Sequence, residues 1–160
     1  MRTLTKRLRA APPLLHGGDA YLGLAWPALD WIEQNVEPGM STIETGTGAS
    51  TIVFAARGAA HVAISPSAEE HRLIVAYCRD LGIPTDDLEL IVGSSDVALR
   101  DLWRERPLDV VLIDGAHSFP FPMLDWAYLA PHLRTGGARA HRRRVPAGGE
   151  RARALPAQAP

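Results

Sequence analysis

The twelve residues from Met40 to Thr51 (Met-Ser-Thr-Ile-Glu-Thr-Gly-Thr-Gly-Ala-Ser-Thr) constrain this chain more than any other stretch. A short β-branched run ends in an acid, Glu44, and turns through two glycines. An apolar helix then begins with Ile52, Val53, Phe54, Ala55 and Ala56. Gly46 and Gly48 let the backbone turn sharply and approach a ligand with no side chain in the way. The helix that follows points its unpaired N–H groups at the same spot. Glu44 adds a carboxylate where a cationic or hydroxyl-bearing group can dock. These residues outline a nucleotide-cofactor site; the plainer reading is a tight strand-to-helix turn with a surface Glu.

A second segment, Leu108 to His117, runs apolar through Val110, Val111, Leu112 and Ile113 and ends in Asp114-Gly115-Ala116-His117. Apolar runs without alternation read as strands buried on both faces, as in parallel sheets covered by helices. Ligands in such sheets bind at the carboxyl ends of the strands. Asp114 and His117 lie just past one such end and Glu44 at another. Between them, His61–Ser65 and Leu88–Val92 read as short strands. Ser67-Ala-Glu-Glu70 reads as a capping box opening a helix with Leu73, Ile74, Tyr77, Cys78 and Leu81 on one face. Gly82 and Pro84 stop that helix. A short helix follows Gly93-Ser94-Ser95 through Leu99, Leu102 and Trp103, and Tyr21 to Val36 reads as a helix upstream. Strand–helix alternation predicts an α/β fold: a Rossmann-like, three-layer parallel sheet with helices on both faces.

Glu44-Thr45-Gly46-Thr47-Gly48 resembles motif I of the class I S-adenosylmethionine-dependent methyltransferases, with Ser50 at the third small position. A dinucleotide fingerprint wants glycine or alanine where Thr51 stands, so an NAD-binding dehydrogenase is the distant alternative. Together with Ile113-Asp-Gly-Ala-His117, the chain resembles a branch of that superfamily whose fourth strand ends in Ile-Asp-Gly-x-His, over roughly residues 20 to 137. The resemblance implies S-adenosyl-L-methionine as cofactor and methyl transfer to a small-molecule oxygen acceptor; a catalytically inactive fragment of the fold is the alternative. It places Glu44 at the cofactor's amino-acid end, with the backbone of Thr45, Gly46, Thr47, Gly48 and Ser50 close by. Ser65 falls by the ribose, Ser94 and Ser95 near the adenine, and Asp114 by the methionyl moiety or the acceptor. His117 is the general-base candidate, since its ordinary pKa lies near neutrality; a loop histidine bonded to backbone is the plain alternative. The other histidines are taken as surface or packing residues.

Two positions depart from the family pattern. The acid that ordinarily receives the ribose hydroxyls at the end of the second strand is replaced by Ser65-Pro66. Glu69 or Glu70 can substitute, but Glu70 is expected to be occupied by the helix cap. The Gly-Asp turn after the third strand is Gly93-Ser94-Ser95, with Asp96 displaced. Catechol-type relatives hold magnesium with acids and an amide late in the sheet. Here Asp114 has no such companions, so no metal site is expected.

After Leu133-Arg134-Thr135-Gly136-Gly137, which announces a fifth strand, the composition changes abruptly. Residues 138–160 hold seven Ala, six Arg, three Pro and two Gly. The chain has 17 basic and 18 acidic residues, of which this stretch holds six and one, so it carries +5 and the remainder −6. No period of two or 3.6 is present, and the stretch is expected to be a disordered tail. It reads as a frame-shifted or replaced end with the last strands of the sheet missing, against a natural basic tail or an arginine-rich contact for nucleic acid, which lacks interleaved aromatics. The strand ending at Asp114 is then expected to present an open edge, with dimerisation or aggregation as consequences. Three segments result: a basic N-terminal extension (1–18), a partial methyltransferase-like domain (19–137) and the tail (138–160). One cysteine, Cys78, fits a reducing cytoplasm, and no apolar stretch is long enough to span a membrane.

Overall fold

The computed structural model describes residues 3–16, 23–102 and 107–141. In chain order the elements are α1 (Leu4–Ala10), α2 (Trp26–Asn35), β1 (Ser41–Thr45), α3 (Ala49–Ala56), β2 (Ala60–Ser65), α4 (Ala68–Leu81), β3 (Leu88–Val92), α5 (Ser95–Asp101), β4 (Leu108–Ile113), α6 (Phe121–Leu129) and β5 (Leu133–His141). The strands form one parallel sheet in the order β3-β2-β1-β4-β5. The order reverses between β1 and β4, where such sheets open a crevice beyond their strand ends.

Strand parity sorts the side chains into two layers. Ile43, Val62, Val111 and Ile113 pack with Leu99 of α5 and Leu129 of α6. Val110 and Leu112 point the other way, onto Leu29 and Ile32 of α2 and Val53 and Phe54 of α3. Ile52 and Ala55 extend that second layer to Ile74 and Cys78 of α4. Each fully buried large side chain here contributes about 1.5–3 kcal/mol relative to exposure. Burial also pushes the Cys78 thiol up to about 11, which marks it as a packing residue.

The basic N-terminal segment is not set apart from this core. Leu8 of α1 is fully buried in the layer under α2, and Glu33 accepts hydrogen bonds from the Leu4 and Thr5 N–H groups and the Thr5 hydroxyl. The helix read upstream from Tyr21 starts instead at Trp26, with Pro27 in its first turn. Tyr21, Leu22 and Trp103 lie outside the described residues.

The expected open edge of β4 is covered. Leu133–His141 runs parallel to it, with Val110 opposite Ala138 and Ile113 opposite His141. A ladder is built by backbone groups, so a stretch with no hydrophobic period can still form one. The join is irregular: the register shifts between Leu108 and Val110, and Gly136 takes φ +84°. Arg134 anchors the start of β5 through a 2.6 Å ion pair with Asp109. Among the described residues no strand follows β5, and residues 142–160 of the expected tail lie outside them. No described helix is long and apolar enough to cross a membrane.

Candidate cofactor site

The turn after β1 is held from below. Thr42 and Glu44 share a strand face by parity, and the β1–β2 register sets His61 opposite Thr42. All three are buried beneath α3. The Glu44 carboxylate accepts from the Ser50 hydroxyl at 2.6 Å, from the Thr51 hydroxyl and from His61 Nε2 at 3.1 Å. His61 Nδ1 meets the Thr42 hydroxyl at 2.7 Å, and the imidazole stacks on Phe54 at 4.2 Å between centroids. With Nε2–H donating to Glu44, Nδ1 is left to accept from Thr42. Thr51 accepts from the Gly48 N–H at 3.0 Å while donating to Glu44, so one hydroxyl locks both ends of the turn.

Glu44 therefore does not offer its carboxylate to a ligand. It is 0% exposed, its oxygens are committed inward, and it does not line the cavity above the turn. Thr45 is buried and lines no cavity either. Both act on the site through position.

A cavity of about 420 Å³ opens at the carboxyl ends of the strands, lined by Gly46, Thr47, Gly48 and Ser50 after β1, Ser65 after β2, and Ser94 and Ser95 after β3. Asp114, His117 and Phe121 line it on the β4 side. Every other expected site residue is thus gathered in one place. The volume lies within the roughly 300–1,000 Å³ usual for small-molecule sites. Among the described residues, no cluster of His, Cys, Asp and Glu is arranged to hold a metal ion.

Two cavity residues carry more than the sequence reading gave them. Ser67 caps α4, accepting from the Glu70 N–H at 3.2 Å. The Glu70 side chain does not reach back to complete the box. Its Oε2 accepts from Thr47 at 3.0 Å and Ser65 at 3.1 Å, and its Oε1 lies 3.1 Å from His16 Nδ1. His16, read as an ordinary surface or packing histidine, is thus a wall of the cavity. Burial alone raises the Glu70 pKa, but the hydrogen bonds from His16, Thr47 and Ser65 outweigh it and hold the carboxyl below its ordinary value.

His71, next along α4, has its pKa lowered, chiefly by burial. Both shifts are downward from the unfolded values of 4.5 and 6.5, so the unfolded chain takes up each proton first on acidification. The His71 step drains stability as pH falls below about 6.5, and the Glu70 contribution is lost as pH falls through its folded pKa, below 4.5. The melting temperature is expected to fall in two stages between pH 7 and pH 3. His71→Leu should erase the first stage; a flat profile across both would contradict the assignment.

The two turn glycines differ in what demands them. A Cβ on Gly46 would lie 2.6 Å from the Asp114 carbonyl oxygen. On Gly48, whose φ of 170° any residue adopts, it would meet only the His16 ring, at 3.4 Å or more. The protein itself leaves room for a methyl at Gly48, so a substitution there tests whether a ligand packs against the turn. Gly48→Ala is expected to melt within about 1 kcal/mol of the parent yet bind its ligand at least tenfold more weakly. Unchanged affinity by calorimetry would show that the ligand keeps clear of the turn.

A family described as a methyltransferase domain matches residues 43–139, more than half of the chain. The chain belongs to this family. Among curated proteins no relative matches. Solved structures of methyltransferases share the domain's architecture. The O-methyltransferase TomG from Streptomyces achromogenes, solved in complex with SAM, has a TM-score of 0.65 at 19% identity, covering 87% of this chain and 61% of its own length. An rRNA methylase from Streptococcus thermophilus has a TM-score of 0.58 at 16% identity, covering 77% and 72%. The C-terminal domain of a precorrin-6Y C5,15-methyltransferase from Rhodobacter capsulatus has a TM-score of 0.53 at 19% identity, covering 73% and 64%. At these identities the likeness is one of fold. The methyltransferase domain's cavity brings together the Gly46–Gly48 turn, hydroxyls at Ser94 and Ser95 and a carboxylate at Glu70, groups whose chemistry fits an adenosyl cofactor.

Proposed function

We propose that the chain is an S-adenosyl-L-methionine-dependent methyltransferase that methylates a hydroxyl of a small-molecule acceptor. The observation that carries this reading is the convergence of the Gly46–Gly48 turn, Ser65, Ser94, Ser95, Asp114 and His117 on one cavity at the sheet's switch point. When bound, the cofactor supplies a methyl group already electrophilic on its sulfonium. The protein's part is then to align the acceptor and remove its proton.

His117 stands exposed on the loop after β4, at the cavity wall, where its imidazole takes the proton from an incoming hydroxyl. Asp114 lies between the turn and that loop and positions the methionyl end or the acceptor. Glu44 and Thr45 hold the turn from inside. Phe121 lines the acceptor side, and Phe119 and Met123 beside it are exposed, which suits an apolar or aromatic acceptor skeleton. The O-methyltransferase TomG shows the same fold serving transfer to oxygen. The buried, free Cys78 suits the cytoplasm as the working compartment.

Methyl-labelled cofactor offered with a panel of phenols, catechols and alcohols tests the reading, with ribosomal RNA as a separate arm. Label is expected in a small hydroxylated acceptor. His117→Ala should lower its turnover by about 10²-fold or more at unchanged cofactor affinity. Transfer to RNA alone would replace the small acceptor with a nucleic acid.

A further inference from the structure

Among the described residues of the cavity wall, Glu70 is the one acid on the β2 side, and the other acid, Asp114, follows β4. We propose that Glu70, delivered from the first turn of α4, is the carboxylate that receives the ribose hydroxyls of the cofactor in place of an acid at the end of β2. The inference rests on the cofactor reading above and assigns that task to a different residue on a different element.

Three observations carry it. The cap of α4 uses the backbone N–H of Glu70, which leaves its side chain for the cavity. The carboxylate then sits against the very residue that ends β2: Ser65 donates to Oε2 at 3.1 Å, and the Ser67 N–H donates to the Ser65 oxygen at 3.2 Å. Ser65 brings no charge, but it fixes a charge five residues further on at the same place. Thr47 donates to the same oxygen at 3.0 Å and ties the carboxylate to the glycine turn.

The two oxygens are not equally committed. A carboxylate oxygen has about two acceptor positions. Oε2 fills both with Thr47 and Ser65, while Oε1 has His16 Nδ1 at 3.1 Å and one position left. The side chain keeps 23% of its surface exposed, so a ligand can reach it. One hydroxyl of a vicinal diol takes that open position, and the second competes with His16 Nδ1 for the other position on Oε1. His16 covers the same oxygen from the segment before α2, and through it the N-terminal part of the chain closes the ribose end of the cavity.

The test titrates parent and Glu70→Gln with S-adenosylhomocysteine and with its 2′,3′-dideoxy analogue, by calorimetry. The parent is expected to prefer the diol roughly ten- to a hundredfold, the range of a hydrogen bond to a charged group. Glu70→Gln should lose that preference and bind the two ligands alike. A variant that keeps the parent's preference would overturn the proposal, leaving Glu70 as a tie between His16 and Thr47. Weak binding of both ligands with the preference intact would overturn it too. If the parent binds neither ligand, the cofactor reading fails and takes the proposal with it. Thr47→Val and Ser65→Ala guard against a variant that does not fold. Each keeps the carboxylate, so each should keep the diol preference, and its loss in either would move the diol to the hydroxyls.

Discussion

Glu44→Ala is expected to destabilise the chain by about 3–5 kcal/mol, because it leaves a cavity and strands three buried donors at once. Ser50, Thr51 and His61 all give their hydrogen bonds to this one carboxylate; each is 3% exposed or less, and Thr51 and His61 do not line the cavity from which water could replace it. Against a total stability of roughly 5–15 kcal/mol the loss is large. For a domain of this length it corresponds to a fall in melting temperature of roughly 6–20 °C. A second consequence separates this account from one in which Glu44 touches the ligand. Thr51 would lose the acceptor that orients it toward the Gly48 N–H, and the turn would loosen. Cofactor affinity should therefore fall together with stability and recover when the protein is stabilised by cooling. His61→Ala should cost less, and the double variant should fall short of the sum of the two, because both remove the same bond. A Glu44→Ala protein that melts within 2 °C of the parent, roughly, by circular dichroism would contradict the network's structural role.

Gly46→Ala should be the most damaging glycine substitution. Gly46 takes φ +88°, and an added Cβ would meet the Asp114 carbonyl oxygen at 2.6 Å and its carbon at 2.9 Å. Neither side can yield cheaply. The Gly46 N–H donates to the Ile64 carbonyl at 2.8 Å, and the Asp114 N–H donates to the Thr45 carbonyl at 2.9 Å, so each backbone is held by the sheet. Left-handed strain costs about 1–2 kcal/mol for a side chain, and overpacking against fixed backbone adds about 1–3. Gly39 provides the control: its φ is +79°, with nothing within 4 Å of an added Cβ. Gly39→Ala is thus expected to show the strain alone, about 1–2 kcal/mol, and Gly46→Ala to lose about 2–5 kcal/mol along with cofactor binding. Equal melting temperatures for the two would show that the Asp114 contact relaxes.

Much of this molecule was legible in its sequence, and the remainder is instructive. Val110–Ile113 and the other apolar runs announced parallel strands because burial on both faces leaves no alternation. The exception inside β1 was informative in hindsight. Thr42 and Glu44 occupy alternate positions, so both face one helix layer, and a charge there requires partners. Only the register with β2 supplies His61, and register lies beyond local pattern. Glu70 was hidden by a valid template: Ser67-x-x-Glu70 does cap α4, but by its N–H alone, while nonlocal hydroxyls claim the carboxylate. His16 had no local signal, since its partner lies 54 residues away. β5 escaped because Ala, Arg and Gly carry no hydrophobic period, whereas the ladder beside β4 is made by backbone.

The central claim is that this cavity holds an adenosyl cofactor, and calorimetric titration of the full chain with S-adenosylhomocysteine, with NAD as the comparison ligand, tests it most directly. The account predicts saturable one-to-one binding of S-adenosylhomocysteine and none of NAD. The melting transition should rise by an amount equivalent to about 2.7 kcal/mol at a hundredfold excess over Kd. A cooperatively folded chain that gives no heat with S-adenosylhomocysteine, or that prefers NAD, would contradict it.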